Sequence, residues 1–352
     1  MVGFLRRPSR HIHKAEVHTA ARIRDGPRAE RAVRVFVAGA TGVLGRRLVR
    51  DFRNRGHAVL GLVRDQDGER TVRALGAEPR RANLFDVDSL ATAAEGADVV
   101  IRAATKIPAK LRASPKDWAE NDRIRIEGTR ALTEATARVG AKAYLQESIV
   151  WAVRGPAGST YDEDAPPVRD PILASALEAE RIARDAGGRH RFEAATLRCG
   201  GFYCADGWHT RVMGEALVRR RPAMIGGGSA VWSMIHADDV ASAFVAAAES
   251  PRSGVWHVVD DRPVALAEFL GAMAERLGAP PPRSIAPWIA RLALGRYTTG
   301  LLETSFVTSN MRFSRDFGWR PAFPTYREGL DEVVETWRKE RFPDGDVNRT
   351  AT

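Results

Sequence analysis

One short turn, Gly39-Ala40-Thr41-Gly42-Val43-Leu44-Gly45, constrains this chain more than any other feature. It follows a β-branched run at residues 33–38 and opens an amphipathic stretch, Val43–Asn54, after which Ala58–Val63 reads as a second strand. In that order each glycine has a job. Gly39 permits the tight turn, Gly42 lets a pyrophosphate approach the backbone, and Gly45 allows close packing of helix on strand. The helix N-terminus then offers free N–H groups and the positive end of its dipole to phosphates. The turn predicts a dinucleotide-binding unit.

The rest of the chain supports that reading. Residues 78–84 read as a weak third strand, 97–102 as a fourth, 142–147 as a fifth and 192–198 as a sixth. Helical stretches at 116–139 and 173–186 separate the later ones. Strands alternating with helices predict βαβ units and a parallel sheet covered on both faces. After Arg198 the rhythm changes: Gly226-Gly227-Gly228 marks a tight loop, and Pro280-Pro281-Pro282 breaks the chain again. Helices are expected at 238–248, 265–277, 286–294 and 326–338, with a strand at 255–259. These elements predict a nucleotide-binding domain over 33–198, completed by about 232–260. A smaller, interwoven substrate lobe then comprises 199–231 and 261–340.

Composition removes several classes. No run approaches the ~20 apolar residues that span a bilayer. Two cysteines, Cys199 and Cys204, exclude a disulfide scaffold and suggest a reducing, cytoplasmic setting. With His209 they do not form a recognised zinc pattern, so no metal is expected. The 54 Lys and Arg outnumber 44 Asp and Glu, but residues 1–32 alone hold eight of the bases against three acids. That segment and 341–352 read as tails. No reader motif accompanies the charge, and neither nucleic acid nor membrane is an expected partner.

Cofactor choice is read at the end of the second strand, in Leu62-Val63-Arg64-Asp65. Arg64 suits a 2′-phosphate through planar, charge-assisted hydrogen bonds. Asp65, one position later, could instead hold a ribose hydroxyl. NADP(H) is the expectation, with NAD(H) as the alternative.

These motifs, in this order, resemble the extended short-chain dehydrogenases/reductases, specifically the NAD-dependent epimerase/dehydratase family. The likeness continues through Asn83-Leu84-Phe85-Asp86, Ala103-Ala104-Thr105, Glu147-Ser148, Leu197-Arg198, Phe202-Tyr203 and Ile235-His236-Ala237-Asp238-Asp239-Val240. It closes with Ser309-Asn310 and Phe317-Gly318-Trp319-Arg320-Pro321. The resemblance implies a Rossmann-type doubly wound α/β fold. It further implies that Gly39, Thr41, Gly42, Val43, Leu44 and Gly45 wrap the pyrophosphate and that Asn83 and Leu84 flank the adenine. Ala103, Ala104 and Thr105 would line the nicotinamide-side ribose, and Ser148 would take the place of the family's catalytic Ser/Thr. A homodimer through the helices at 116–139 and 173–186 is implied as well.

One departure decides the chemistry. The family's proton transfer rests on Tyr-x-x-x-Lys, but Ile172 stands at the Tyr position and Ala176 at the Lys position. The five tyrosines are Tyr144, Tyr161, Tyr203, Tyr297 and Tyr326, and none has a lysine four residues on. A phenol titrates near ~10 and is helped towards neutrality by the lysine; Ile and Ala do neither. Candidate substitutes are Ser148 for the substrate oxygen, Glu147 beside it, Lys106 at the end of the fourth strand, and Tyr161 or Tyr203. The expected activity is an NAD(P)(H)-dependent oxidoreductase acting on a small carbonyl or hydroxyl compound through a non-standard site. A nucleotide-sugar epimerase or dehydratase, or a cofactor-binding sensor without turnover, are the alternatives.

Overall fold

The structure, a computed structural model, describes residues 32–343 apart from 111 and 157. The expected tails therefore lie outside the described residues, except for residues 32 and 341–343.

The glycine turn joins β1 (Arg34–Ala38) to α1 (Val43–Asn54), followed by β2 (Ala58–Val63), α2 (Gln66–Ala74), β3 (Glu78–Arg81), α3 (Val87–Ala93) and β4 (Val99–Arg102). Then come α4 (Pro115–Arg123), a π-helical turn at Ile124–Gly128, α5 (Thr129–Arg138), β5 (Ala143–Ile149), α6 (Pro171–His190) and β6 (Glu193–Cys199). The remaining part holds β7 (Gly201–Tyr203), α7 (Trp208–Val218), β8 (Pro222–Ile225), β9 (Val231–Trp232), β10 (Met234–His236), α8 (Ala237–Glu249) and β11 (Gly254–Val258). It ends with β12 (Val264–Ala265), α9 (Leu266–Leu277), β13 (Arg283–Ile285), α10 (Pro287–Leu302), α11 (Met311–Phe317) and α12 (Tyr326–Lys339).

Seven strands form one sheet in the order β11-β6-β5-β4-β1-β2-β3, with every pairing parallel. The chain winds outward from β1 through β2 to β3, then crosses back to place β4 on β1's other side. This reversal opens a crevice at the carboxyl ends of β1 and β4, where ligands bind in such sheets.

Period-two burial explains the two faces. Val35 and Val37 of β1, with Ala143 and Leu145 of β5, pack with α1 residues Leu48, Val49 and Phe52 and α8 residues Val240 and Phe244. Phe36, Val100 and Tyr144 face the other way, onto α3, α5 and α6 through Leu90, Leu132 and Ala183. Each large side chain so buried contributes about 1.5–3 kcal/mol. A third apolar cluster, built around Phe269, Met273, Leu330, Val333 and Trp337, holds α9 and α12 against the short strands. There β7 pairs with β10, β8 with β13 and β9 with β12.

Three differences from the sequence reading have physical causes. The stretch expected as one helix at 116–139 contains the π turn, which buries the consecutive residues Ile124 and Arg125 together with Gly128. The helix expected at 286–294 continues to Leu302 through a kink at Gly295, whose φ of 81° is open to glycine. Helices α2, α3 and α11 escaped the reading because they are short or strongly polar, and α7 because glycines precede and interrupt it, at Gly207 and Gly214.

The outward faces of α5 and α6 are laced with ion pairs. Arg130 meets Glu178 at 3.4 Å, and Arg181 bridges Glu178 and Asp185 at 2.7 and 2.6 Å.

Beneath them, one buried ion pair ties α6 to the sheet: Arg198 Nη2 lies 2.6 Å from Glu180 Oε2, and Arg198 Nη1 donates to the Glu163 carbonyl at 2.9 Å. Removing one partner strands a buried charge, a cost of about 3–5 kcal/mol. Glu180→Ala is therefore expected to lower unfolding free energy by that amount, read from the urea midpoint at constant slope.

Candidate active site

The crevice is built from the glycine turn upward. Gly39 has φ of +96°, and a Cβ there would come within 2.6 Å of the Ala104 nitrogen. A Cβ on Gly45 would stand 1.9 Å from the Gly39 carbonyl oxygen. The turn thus closes simultaneously on α1 and on the segment after β4, and only hydrogen fits at either position. Gly42 N donates to Gly39 O at 3.0 Å, fixing the loop. Gly42 also caps α1 without a side chain, and no acid stands in the first turn. The first-turn N–H groups are therefore left for an anion, and the cradle fits a pyrophosphate.

Behind the cradle, α1 is fastened to the later part of the chain. Arg46 and Arg47 meet Asp206 at 2.5 and 2.8 Å, and Arg47 also meets Asp238 at 2.6 Å.

On the β2 side, Asp65 does not reach outward. Its Oδ1 accepts from Gly68 N at 2.8 Å and caps α2. Arg64 is exposed and has no ion-pair partner among the described residues. Asn83 Oδ1 accepts from Phe85 N at 3.1 Å within its own turn, and Leu84 packs against Gly128. On the other side, Ala103 and Ala104 flank the glycine turn, with Thr105 exposed beyond them.

The sheet ends hold two arginines that the sequence reading missed, beside Glu147. Arg102, 1% exposed, donates to the carbonyls of Glu147 at 2.9 Å and Ala104 at 3.2 Å, clamping β4 to β5. Arg125, in the π turn, is buried as well. Glu147 is buried nearby, and desolvation raises its carboxyl above the usual range against the pull of Arg125 and Arg102. The signals were an Arg ending an apolar strand and, for Arg125, its spacing of four and seven residues from Thr129 and Leu132 on the inward face of the helix.

Helix α10 approaches the same region. Tyr297 meets Trp118 edge-on with ring centroids 5.9 Å apart, and its hydroxyl is pushed up to about 12, chiefly by burial and by Asp170. The family positions for the proton pair lie at the start of α6 in an apolar setting. Ala176 packs with Ile149, Ala152 and Leu173, and Ile172 is half-buried.

The candidate substitutes stand in different surroundings. Ser148 Oγ donates its single proton to Glu180 Oε1 at 2.6 Å, and that carboxylate is held by Arg198. Its hydroxyl thus joins the β5–α6 contact, with its proton turned towards Glu180. Tyr203 is 1% exposed in the core of the α9–α12 cluster, between Phe269 and His236, with its Oη pressed against Gly329. Lys106 has an exposed side chain, and only its backbone N–H is engaged, donating to Asn121 Oδ1 at 3.0 Å. Cys199 and Cys204 are both buried, and His209 bonds the Phe202 carbonyl. Among the described residues no three His, Cys, Asp or Glu side chains converge as metal ligands, and no helix is long and apolar enough to cross a membrane.

Residues 35–259 match the pattern of the NAD dependent epimerase/dehydratase family. The chain belongs to that family. It is 36% identical over 309 residues to a 3-diazoavenalumate denitrifying reductase of a Streptomyces species, an alignment covering 85% of this chain and 99% of the relative. It is 30% identical to a 4-hydroxy-2-methyl-3-oxo-4-farnesyl-3,4-dihydroquinoline-1-oxide ketoreductase of Stigmatella aurantiaca, over 70% of this chain and 74% of that one. Among solved structures, a human epimerase family protein with NADPH superposes with a TM-score of 0.73 at 22% identity, covering 86% and 99% of the two chains. The UDP-glucose 4-epimerase of Thermus thermophilus with NAD gives 0.72 at 23%, covering 87% and 99%. These two likenesses concern the fold.

The Tyr203 hydroxyl has no hydrogen-bond partner among the described residues in its buried position. Tyr203→Phe is therefore expected to leave turnover unchanged and to hold or raise stability by up to about 1 kcal/mol. Thermal melting and initial rates check this; a rate loss of tenfold or more in a folded variant would restore Tyr203 to the site.

Proposed function

We propose that this chain is an NADP(H)-dependent reductase that delivers hydride to a small electrophile without a tyrosine–lysine proton relay. The observation that carries this reading is the pairing of a complete phosphate cradle with an apolar Ile172/Ala176 surface. The cradle needs neither of those residues.

The chain's own groups divide the work. The turn from Gly39 to Gly45 receives the pyrophosphate on backbone N–H groups, while Arg64, free because Asp65 is spent on capping α2, takes the 2′-phosphate. Ala103, Ala104 and Thr105 line the approach to the β4–β5 ends. Bound dinucleotide supplies the hydride.

What the site lacks selects among electrophiles. A carbonyl needs a proton on oxygen as it is reduced, and general acid catalysis is worth about 10²–10⁴ in rate. The Ser148 proton is turned towards Glu180, and Ile172 and Ala176 have none. An arenediazonium carbon needs no such proton: the C–H bond forms as the C–N bond breaks, and N2 leaves with the bonding pair. The Streptomyces relative, by its name a denitrifying reductase of a diazo acid, supports substrates of this kind. The ketoreductase relative supports the carbonyl reading, which here would draw its proton from solvent. Family resemblance also proposes a homodimer, which must place the ion-paired outer faces of α5 and α6 together; monomer alone in sedimentation at micromolar concentration would refute it.

Calorimetric titration is expected to show preference for NADPH over NADH in the wild type, with Arg64→Ala removing that preference. Equal affinities in both proteins would overturn the NADP(H) assignment. Turnover is tested with 4-deuterated NADPH against arenediazonium acids and small ketones, each with a protein-free blank. Deuterium in the arene with release of N2 above the blank is expected, whereas deuterium only in alcohols would favour the carbonyl reading. Binding without turnover on any substrate would leave a cofactor-binding sensor.

A further inference from the structure

Arg125 is a buried cation that no described residue uses up. It is 5% exposed, and its one side-chain hydrogen bond among the described residues runs from Nη1 to Ser175 Oγ at 3.4 Å, which is long. A guanidinium carries five N–H donors in a planar fork. Glu147, buried and close enough to favour Arg125's charge, makes no hydrogen bond to it, and Glu147 Oε2 has no partner among the described residues. Asp122 Oδ1, on the turn of helix just before Arg125, is likewise buried and unpartnered among them. Opposite charges taken out of water normally close on each other, because each left open costs several kcal/mol. Here they are held near but apart.

The backbone sets that separation. Arg125 stands in the π turn between α4 and α5, an irregularity frequent at functional sites. Its bond to Ser175 places the guanidinium beside α6 between positions 172 and 176, whose side chains are Ile and Ala. On the sheet side, Arg102 fixes the ends of β4 and β5 by donating to the Ala104 and Glu147 carbonyls. The phosphate cradle starts at the end of β1, and β4 and β5 are the next two strands along. Neighbouring strands lie about 4.8 Å apart, so the β5 end is about 10 Å from the pyrophosphate position. A dinucleotide whose adenine half runs over β2 towards Arg64 therefore brings its other ribose to this place.

We propose that Arg125 holds the nicotinamide-side ribose, donating from its unmet N–H groups to the ribose hydroxyls, and so supplies from α5's approach the cation that α6 lacks. The inference rests on the dinucleotide reading above and adds a residue to it. It also assigns the buried carboxylate: Glu147 favours the charge of Arg125 against its burial without occupying its donors. Unlike a lysine, the guanidinium does not give up its proton, so this residue binds and orients only.

Two probes separate this from a structural role. NADPH carries both riboses, whereas adenosine 2′,5′-bisphosphate carries only the adenine-side one. Arg125→Met is expected to weaken NADPH binding about 10- to 100-fold, the range for loss of charge-assisted hydrogen bonds. Affinity for adenosine 2′,5′-bisphosphate should stay within about twofold, which also reports an intact fold. Arg125→Lys, which keeps the charge but loses the fork, should fall between. Unchanged NADPH affinity in Arg125→Met overturns the proposal, as does equal weakening for both probes. If Arg125→Met does not fold, Arg125→Lys decides alone: wild-type NADPH affinity in that variant overturns the assignment. Wild-type protein that binds neither probe would refute the dinucleotide reading itself, a separate outcome.

Discussion

Everything in the candidate site depends on one steric fact: the chain between β1 and α1 passes so close to itself, and to the segment after β4, that side chains are excluded. The Gly39 carbonyl lies 1.9 Å from where a Cβ on Gly45 would sit, and the Gly39 Cα faces the Ala104 backbone. That contact aims the start of α1 at the crevice where the strand order reverses. It makes α1's unpaired N–H groups, the β2 end with Arg64 and the β4–β5 ends parts of one groove rather than separate surface features. The salt bridges from Arg46 and Arg47 to Asp206 and Asp238 then fix α1 from behind, so the cradle and the later lobe are positioned together.

Charge at the far end of the groove is arranged differently from charge elsewhere in the molecule. Arg198 and Glu180 form a closed pair with Ser148 attached. Arg125 and Glu147 are equally buried yet not bonded to each other, and Arg102 spends its donors on strand carbonyls with Nε left over. The first set stabilises α6 on the sheet. The second keeps binding capacity, at an energetic cost that the packed sheet on both sides offsets.

Much of this was legible in the residues. The glycine spacing, the β-branched strand runs and the loss of Tyr-x-x-x-Lys are local patterns, and local patterns survive translation into structure. Helix α8, with its paired acids Asp238 and Asp239 at the N-terminus, was readable for the same reason. What was not legible concerned contacts between segments distant in sequence. Ser148 and Glu180 are 32 residues apart, and no pattern at Ser148 says that its proton is turned towards Glu180. Tyr203 carries a motif of the family, but burial against Gly329, more than a hundred residues on, decides what it can touch. Arg125 was missed because an arginine in a helix reads as solvated surface, as Arg123 and Arg130 are, although its spacing from Thr129 and Leu132 puts it on the inward face.

The account requires one continuous groove, from Arg64 across the glycine turn to the β4–β5 ends, holding an extended dinucleotide. A crystal structure of the protein with NADPH tests that most directly. The account predicts the pyrophosphate on the N–H groups at the start of α1, the 2′-phosphate at Arg64 and the nicotinamide half beside Ala104. A dinucleotide lying elsewhere, or bound with its adenine end at β5, would contradict it.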